Sequence, residues 1–334
     1  MMKKFTSRLL QNPLTQTSMV FAGFGGLLSD AYLGRAGFYV TFALSLLLFV
    51  WAIYDEYKRQ QFYKNTMIPI PVVISVDDAK PLNVIFTSII KEIEKDKQFI
   101  GLEKHLRHYF GISKEELLFE YKGDLYDNQR LISFLQIIRY SLTHIEKRMD
   151  NRIQFHVAYL RRPAIGIALG GMFRSDGIVV YQNNDYQDRF DKVATIDSRQ
   201  YKEKIEHYEK FERIESFNRP EENSLLLVIQ LSSHNVAYTH KAFSHLSNRV
   251  ILQSKGNGTI ALDEDWVRYA QEIYNTINDL RMHYTQITIA HSMPEAVAII
   301  LGMALENYWQ INVTQYDNEN YKHVIMLNTI EYHF

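Results

Sequence analysis

The stretch from Gln286 to Tyr321, QITIAHSMPEAVAIILGMALENYWQINVTQYDNENY, restricts the fold more than any other part of the chain. Ile287–Ala290 is short, apolar and β-branched, as a buried strand should be. His-Ser-Met then leads to Pro294, and proline suits the first position of a helix. Ala296–Leu305 is apolar on nearly every side, which predicts a buried helix. A second strand, Ile311–Tyr316, precedes the polar Asp-Asn-Glu-Asn-Tyr321. The same order of elements occurs earlier, from Gln154 to Tyr186. Strand Phe155–Tyr159 is followed by Arg161-Arg162, Pro163 opens an apolar helix, and strand Ile178–Tyr181 runs into Gln-Asn-Asn-Asp-Tyr186. Leu169-Gly170 in the first copy answers Leu301-Gly302 in the second, and the interval Tyr181 to Tyr186 equals that from Tyr316 to Tyr321. A long helix is expected before each copy, at Asn128–Met149 and Glu264–His283. Two copies of one α/β unit explain this order most simply.

The remaining segments extend the pattern. Val72–Val76 and Leu117–Tyr121 read as strands, with helices at Leu82–Lys95 and Leu102–Phe110. Lys192–Asp197 is strand-like. The Glu/Lys alternation of Tyr201–Phe217 predicts a solvated helix bridging the halves, and Asn218–Asn223 a linker. Leu225–Leu231 is a continuous apolar run of the kind found in buried parallel strands. Val250–Gln253 and Thr259–Leu262, flanking Lys255–Gly258, predict a hairpin.

On these residues the chain resembles the SAVED domain, a fusion of two Rossmann-like units of the CARF type. The resemblance covers about Ile68–Phe334 and is strongest in HSMPEAVAIILGMALE and the two tyrosines after it. The expected fold class is α/β: two fused Rossmann-like (CARF-like) halves, at 67–217 and 218–334, behind an N-terminal two-helix transmembrane hairpin at 1–66.

That hairpin rests on hydropathy. Lys3, Lys4 and Arg8 precede Pro13–Leu33, which is apolar in its middle; Ala36–Tyr54 then carries no charge at all. Helices are expected at about 14–33 and 36–57, the second long enough for a ~30 Å hydrocarbon core. A cleaved signal peptide fits poorly, because the strongest apolar run starts after residue 35; a single signal anchor is the competing arrangement. With Lys58, Arg59 and Lys64 after the pair, the positive-inside rule puts the N-terminus and the α/β part of a multi-pass protein in the cytoplasm, and the resemblance implies that the membrane is the bacterial inner membrane. Ile68-Pro-Ile-Pro71 breaks the second helix.

Composition excludes several functions. The net charge of −1 gives no basic field for a DNA or RNA polymer. With no cysteine there is no disulfide framework, thiolate metal site or cysteine nucleophile. No strand is followed by GxGxxG or GxxxxGK[ST], and Ser292 has no GxSxG context. His105 and His108 lack a third ligand in the sequence around them. No catalytic residue, metal site or cofactor is predicted.

Ligands of open parallel sheets sit beyond the carboxyl ends of the strands. Four such ends are Asp77-Asp78, Leu160-Arg161-Arg162, Ser232–Asn235 and His291–Met293, and pseudo-symmetric packing would gather them around one cleft. Arg161 and Arg162 suit phosphate oxygens. Ser232, Ser233, His234, Asn235, His291 and Ser292 offer further polar contacts, and Tyr186 and Tyr321 offer faces on which bases stack. Each has a plainer reading: surface arginines, turn-forming serines, core tyrosines. Asp77 and Asp78 would repel a polyanion and read as a turn.

The resemblance implies a ligand of the cyclic tri- or tetra-adenylate type, made in bacterial CBASS anti-phage defence. It further implies an effector that forms a homo-oligomer and disrupts the lipid bilayer, causing abortive infection. A membrane-tethered cyclic-nucleotide hydrolase and a ligand-independent membrane scaffold remain as alternatives.

Overall fold

The structure is a computed structural model. It describes residues 10, 13–20, 22, 23, 26–63, 67–77, 80–149, 152–173, 177–184, 187, 189–219, 221–256, 258–305 and 309–331, with the backbone alone at 13–14, 26–35 and 59–63. The chain divides into two units, Met1–Ile68 and Pro69–Phe334.

In the first unit, α1 (Pro13–Val20) packs against α2 (Gly26–Tyr63), and the Ser45 hydroxyl donates to the Ser18 carbonyl at 2.9 Å. Within α2, Ala36–Lys58 is long and apolar enough to cross a membrane. Tyr39, Val40, Phe42, Leu46, Leu47, Val50 and Trp51 on it are each more than half exposed. The helices expected at about 14–33 and 36–57 leave a break near Gly34 and Arg35; instead α2 runs through those residues. The charges of Asp30 and Arg35 interrupt the hydropathy but not the helix, since both residue types tolerate helical backbone. Among the described elements, α1 ends at Val20 and α2 begins at Gly26. At eight residues, α1 is only about 12 Å long. The second membrane crossing expected from the sequence therefore has no counterpart among the described residues.

The second unit carries two sheets. The first has the order β2-β1-β3-β4-β5, built from β1 (Ile68–Val76), β2 (Leu118–Tyr121), β3 (Ile153–Leu160), β4 (Ile178–Asn184) and β5 (Arg189–Ile196). The second has the order β11-β10-β9-β7-β8-β6. Its strands are β6 (Phe211–Phe217), β7 (Ser224–Gln230), β8 (Asn248–Ser254), β9 (Gln286–Ser292), β10 (Gln310–Asp317) and β11 (Asn320–Met326). Helices α3 (Leu82–Ile93), α4 (Leu102–Phe110), α5 (Asn128–Arg148) and α6 (Pro163–Met172) belong to the first half. Helices α7 (Trp266–Leu280) and α8 (Glu295–Ala304) belong to the second. The order β8-β7-β9-β10-β11 repeats β2-β1-β3-β4-β5, and in each sheet the last of these pairings is antiparallel. The duplication legible in the sequence is thus a duplication of topology.

The matched Leu-Gly pairs lie where the two halves meet. Helices α6 and α8 are buried along almost their whole lengths and pack on each other. A Cβ added at Gly302 would lie 2.0 Å from the Ile167 carbonyl oxygen and 2.9 Å from the Gly170 Cα; one at Gly170 would lie 2.0 Å from the Ile299 carbonyl oxygen. Only glycine at both positions lets the backbones approach this closely.

Three sequence expectations change. Tyr201–Phe217 is not a helix: after a short turn at Gln200–Lys202 it becomes the edge strand β6, antiparallel to β8. Its charges suit an edge, where they discourage further pairing. Its start is fixed by Glu272 of α7, whose buried carboxylate accepts from the N–H groups of Glu209 at 2.7 Å, Lys210 at 3.0 Å and Phe211 at 3.0 Å. Val250–Gln253 forms no hairpin with Thr259–Leu262, because β8 pairs in parallel with β7. Finally, Asp317–Asn320 is a tight hairpin turn joining β10 to β11, with Asn318 and Glu319 at φ of 47° and 63°, as a mirror-image turn requires.

The equal tyrosine intervals also part company. Tyr316 pairs directly with Tyr321 across the hairpin, whereas Tyr181 pairs with Lys192. Register places Tyr181 beside Ala158 on β3 and Val313 beside Ile289 on β9. Counted from Pro163 and Pro294, Ala158 and Ile289 are equivalent, so Tyr181 corresponds to Val313.

Candidate functional site

Beyond the carboxyl ends of β7, β9 and β10 lies a cavity of about 420 Å³, within the usual ~300–1,000 Å³ of small-molecule sites. Ser232, His234, Asn235, Val236 and Ala237 form one wall. His291, Ser292 and Met293 form the floor, and Gln315, Tyr316 and Tyr321 the far side. Pro163, the first residue of α6, enters from the other half of the unit.

Local chemistry holds the first wall. Gln230, nearly buried at the end of β7, donates from its amide to the His234 carbonyl at 2.6 Å and accepts from Val236 N–H at 2.6 Å. That one side chain folds the polar loop back over the strand that carries it. The Ser292 carbonyl accepts from the N–H groups of Leu231 at 2.8 Å and Ser232 at 2.9 Å, and the Ser232 and Ser292 hydroxyls touch. Beneath the loop, Val236, Phe243 and Leu246 pack with Leu226, Val228, Ala290 and Tyr321 as a small core.

His291 is more than nine-tenths buried, and burial pushes its pKa down to about 4, against a smaller upward pull from its hydrogen bond to the Thr314 backbone. The ring is therefore neutral at neutral pH. Among the described residues its Nε2 has no hydrogen-bond partner, and neither has Oε1 of Gln315. Continuing the β9–β10 register two residues past Ile289↔Val313 sets these side chains next to each other on one face. Unsatisfied buried acceptors of this kind cost roughly 1–3 kcal/mol each, and a donor entering the cavity would recover part of it.

The sequence candidates separate. Ser232, His234, Asn235, His291, Ser292 and Tyr321 come together in the cavity wall. Ser233 does not line it; its backbone lies against Gly258, where an added Cβ would approach Ser233 N to 2.8 Å. Arg161 is exposed and outside the wall. Arg162 is at the cavity's edge next to Pro163, paired with Asp317 at 3.5 Å. Tyr186 and Asp78 lie outside the described residues, and Asp77 is not part of the wall. Tyr321 is 8% exposed, with Phe243 at 4.8 Å and its hydroxyl accepting from Ala237 N–H at 2.9 Å. It serves as a wall and not as an open stacking face. Its cross-strand partner Tyr316, 49% exposed, presents the free aromatic surface, and sequence reasoning missed it. The signal was the strand alternation of β10, which separates Tyr316 from the buried Val313. Gln230 and Gln315 were likewise missed, whereas Met293 belongs to the strand end named from the sequence.

A protein-family model described as the SMODS-associated and fused to various effectors sensor domain, SAVED, matches residues 132–327, more than half of the chain. The chain is a SAVED-domain protein. The match takes in every residue of the cavity wall. Among solved structures, the SAVED domain resembles the Acinetobacter baumannii Cap4 SAVED/CARF-domain containing receptor with the cyclic trinucleotide 2'3'3'-cAAA. Identity is 13% and the TM-score 0.50, over 84% of this chain and 56% of that one. The same receptor with 3'3'3'-cAAA gives 14% identity and a TM-score of 0.49, over 95% and 78%. The Moraxella osloensis Cap4 receptor gives 13% and 0.46, over 85% and 65%. At such identities the likeness is one of fold, and the chain spans less than two thirds of the first receptor's length. No curated protein matches this SAVED protein.

Proposed function

We propose that this SAVED-domain protein is a membrane-anchored receptor, not an enzyme, and that it binds a cyclic oligonucleotide of the tri- or tetra-adenylate type. The observation that carries this reading is the cavity at the strand tips of β7, β9 and β10, which the start of α6 completes from the other half. Its wall offers hydroxyls at Ser232 and Ser292, buried acceptors at His291 and Gln315, and an open aromatic face at Tyr316. These groups suit sugars, exocyclic amines and bases respectively. Cap4, which shares the fold, is recorded with cyclic trinucleotides.

The exposed apolar belt of α2 supports the anchor: soluble surfaces seldom carry so many adjacent large apolar side chains. With Lys58, Arg59 and Lys64 following the span, the positive-inside rule puts the SAVED domain on the cytoplasmic face of a bacterial inner membrane. Ligand binding then clusters copies of the chain, and their N-terminal helices breach the bilayer in anti-phage defence. One span encloses no aqueous path, so the breach requires a homo-oligomer.

Proteoliposomes holding the full chain and a self-quenched dye test this sequence of events. Cyclic tri-adenylate is expected to release the dye, with linear tri-adenylate inert. Ligand binding without leakage would remove the effector step.

A further inference from the structure

Asp317, at the end of β10, gathers donors from both halves of the second unit. Its Oδ2 accepts from the Tyr126 hydroxyl at 2.9 Å, ahead of α5, and lies 3.4 Å from Lys322 Nζ on β11. Its Oδ1 lies 3.5 Å from Nη1 of Arg162. The Lys322 ammonium also stands 4.5 Å above the Tyr126 ring. The cluster is at the mouth of the cavity, because Pro163 and Tyr316, the chain neighbours of Arg162 and Asp317, line it. The phenol's hydrogen bond, followed by those two cations, holds the Asp317 carboxyl below its ordinary pKa, against the opposing effect of burial. Burial and that same bond raise Tyr126 to about 12. A carboxylate anion and a protonated phenol are thus the resident species.

Two features point to a larger anion. Charge-assisted N–H···O bonds normally measure about 2.7–2.9 Å, so at 3.4 and 3.5 Å both cations hold the carboxylate loosely. The side chains are also accessible, at 27% for Arg162, 18% for Asp317 and 39% for Lys322. The Arg162 backbone is itself strained: Arg161 and Arg162 are consecutive non-glycine residues at φ of 63° and 59°. Strain of this kind, roughly 1–3 kcal/mol per residue, concentrates at ligand clamps.

We propose that Arg162, Lys322 and Tyr126 form a phosphodiester subsite that Asp317 fills when no ligand is bound. The proposal rests on the reading of the cavity as a cyclic-oligonucleotide site. On binding, a phosphate takes the three donors and the Asp317 carboxylate is displaced, so the protein works against its own counter-ion.

The test is the affinity of the full chain in detergent micelles for 3'3'3'-cyclic tri-adenylate, with melting curves taken first to establish that each variant is folded. Asp317→Asn removes the competing charge and is expected to bind about tenfold more tightly, a gain of about 1.4 kcal/mol. Lys322→Gln and Tyr126→Phe are each expected to bind about tenfold more weakly, with Lys322→Gln also flattening the salt dependence. A bridge of purely structural importance predicts the opposite for Asp317→Asn: lower melting and no tighter binding. Unchanged or weaker affinity in folded Asp317→Asn, or unchanged affinity in Lys322→Gln, overturns the subsite alone. Absence of binding by the wild type overturns the subsite together with the reading beneath it.

Discussion

Replacing Gly302 with valine is expected to destabilise the SAVED domain by roughly 3 kcal/mol or more, the upper range for overpacked cores. In an exposed helix the sign would be reversed, since removing a mid-helix glycine gains up to ~1 kcal/mol. Packing decides here. The new Cβ would lie 2.0 Å from the Ile167 carbonyl oxygen, which is backbone and cannot rotate away. The facing Gly170 has the mirror constraint, and Gly166 would meet the Ala298 Cβ at 3.2 Å. The helices must therefore separate, and with them the two sheets and the contribution of Pro163 to the cavity. Thermal unfolding followed by near-ultraviolet circular dichroism checks this. A melting temperature equal to wild type would mean that α6 and α8 do not cross at these glycines.

The second large effect is expected at Glu272, which is fully buried. Its carboxylate accepts from three consecutive backbone N–H groups at the start of β6 and from Arg268 Nε at 3.2 Å. Glu272→Ala leaves those donors without an acceptor and Arg268 short of a counter-charge. Removing one member of such a buried set costs about 3–5 kcal/mol. Glu272→Gln retains one acceptor oxygen and should lose less. Urea unfolding gives the magnitude, and hydrogen exchange gives the place: residues 209–217 should lose protection first. Equal protection of that segment in Glu272→Ala would show that β6 is held by β8 alone.

These two sites differ in how well the sequence announced them. Gly170 and Gly302 stood out because each follows a leucine at a similar distance from a helix-opening proline, and the repeat supplied its own control. The buried helices and the parallel strands were legible for the same reason, since apolar runs bounded by Pro and polar turns are local signals. Glu272 gave no such signal. A carboxylate on an amphipathic helix looks solvated until β6, from a distant stretch of chain, is placed over it. β6 itself was read as a helix because its Glu/Lys alternation suits a solvated helix, and the same charges suit an exposed edge strand equally well. The polar wall residues Ser232, His234, Asn235, His291 and Ser292 followed from the rule that ligands gather at strand ends. Tyr316, Gln315 and Gln230 did not, because burial and cross-strand pairing alone separate a tyrosine that faces the cavity from one that closes it. At the N-terminus, hydropathy located the apolar stretch correctly but put the start of the second helix later than Gly26, because a charge lowers hydropathy without ending a helix.

The central claim is that a cyclic oligonucleotide occupies the cavity between the halves, and calorimetric titration of the detergent-solubilised full chain with cyclic tri- and tetranucleotides tests it most directly. At least one adenine-containing ring is expected to bind the wild type. Ser292→Trp, which fills the floor of the cavity, is expected to bind that ring at least a hundredfold more weakly, about 2.7 kcal/mol, while melting as a folded protein. Heat signals absent for every ring, or equal affinity in folded Ser292→Trp, would contradict the account.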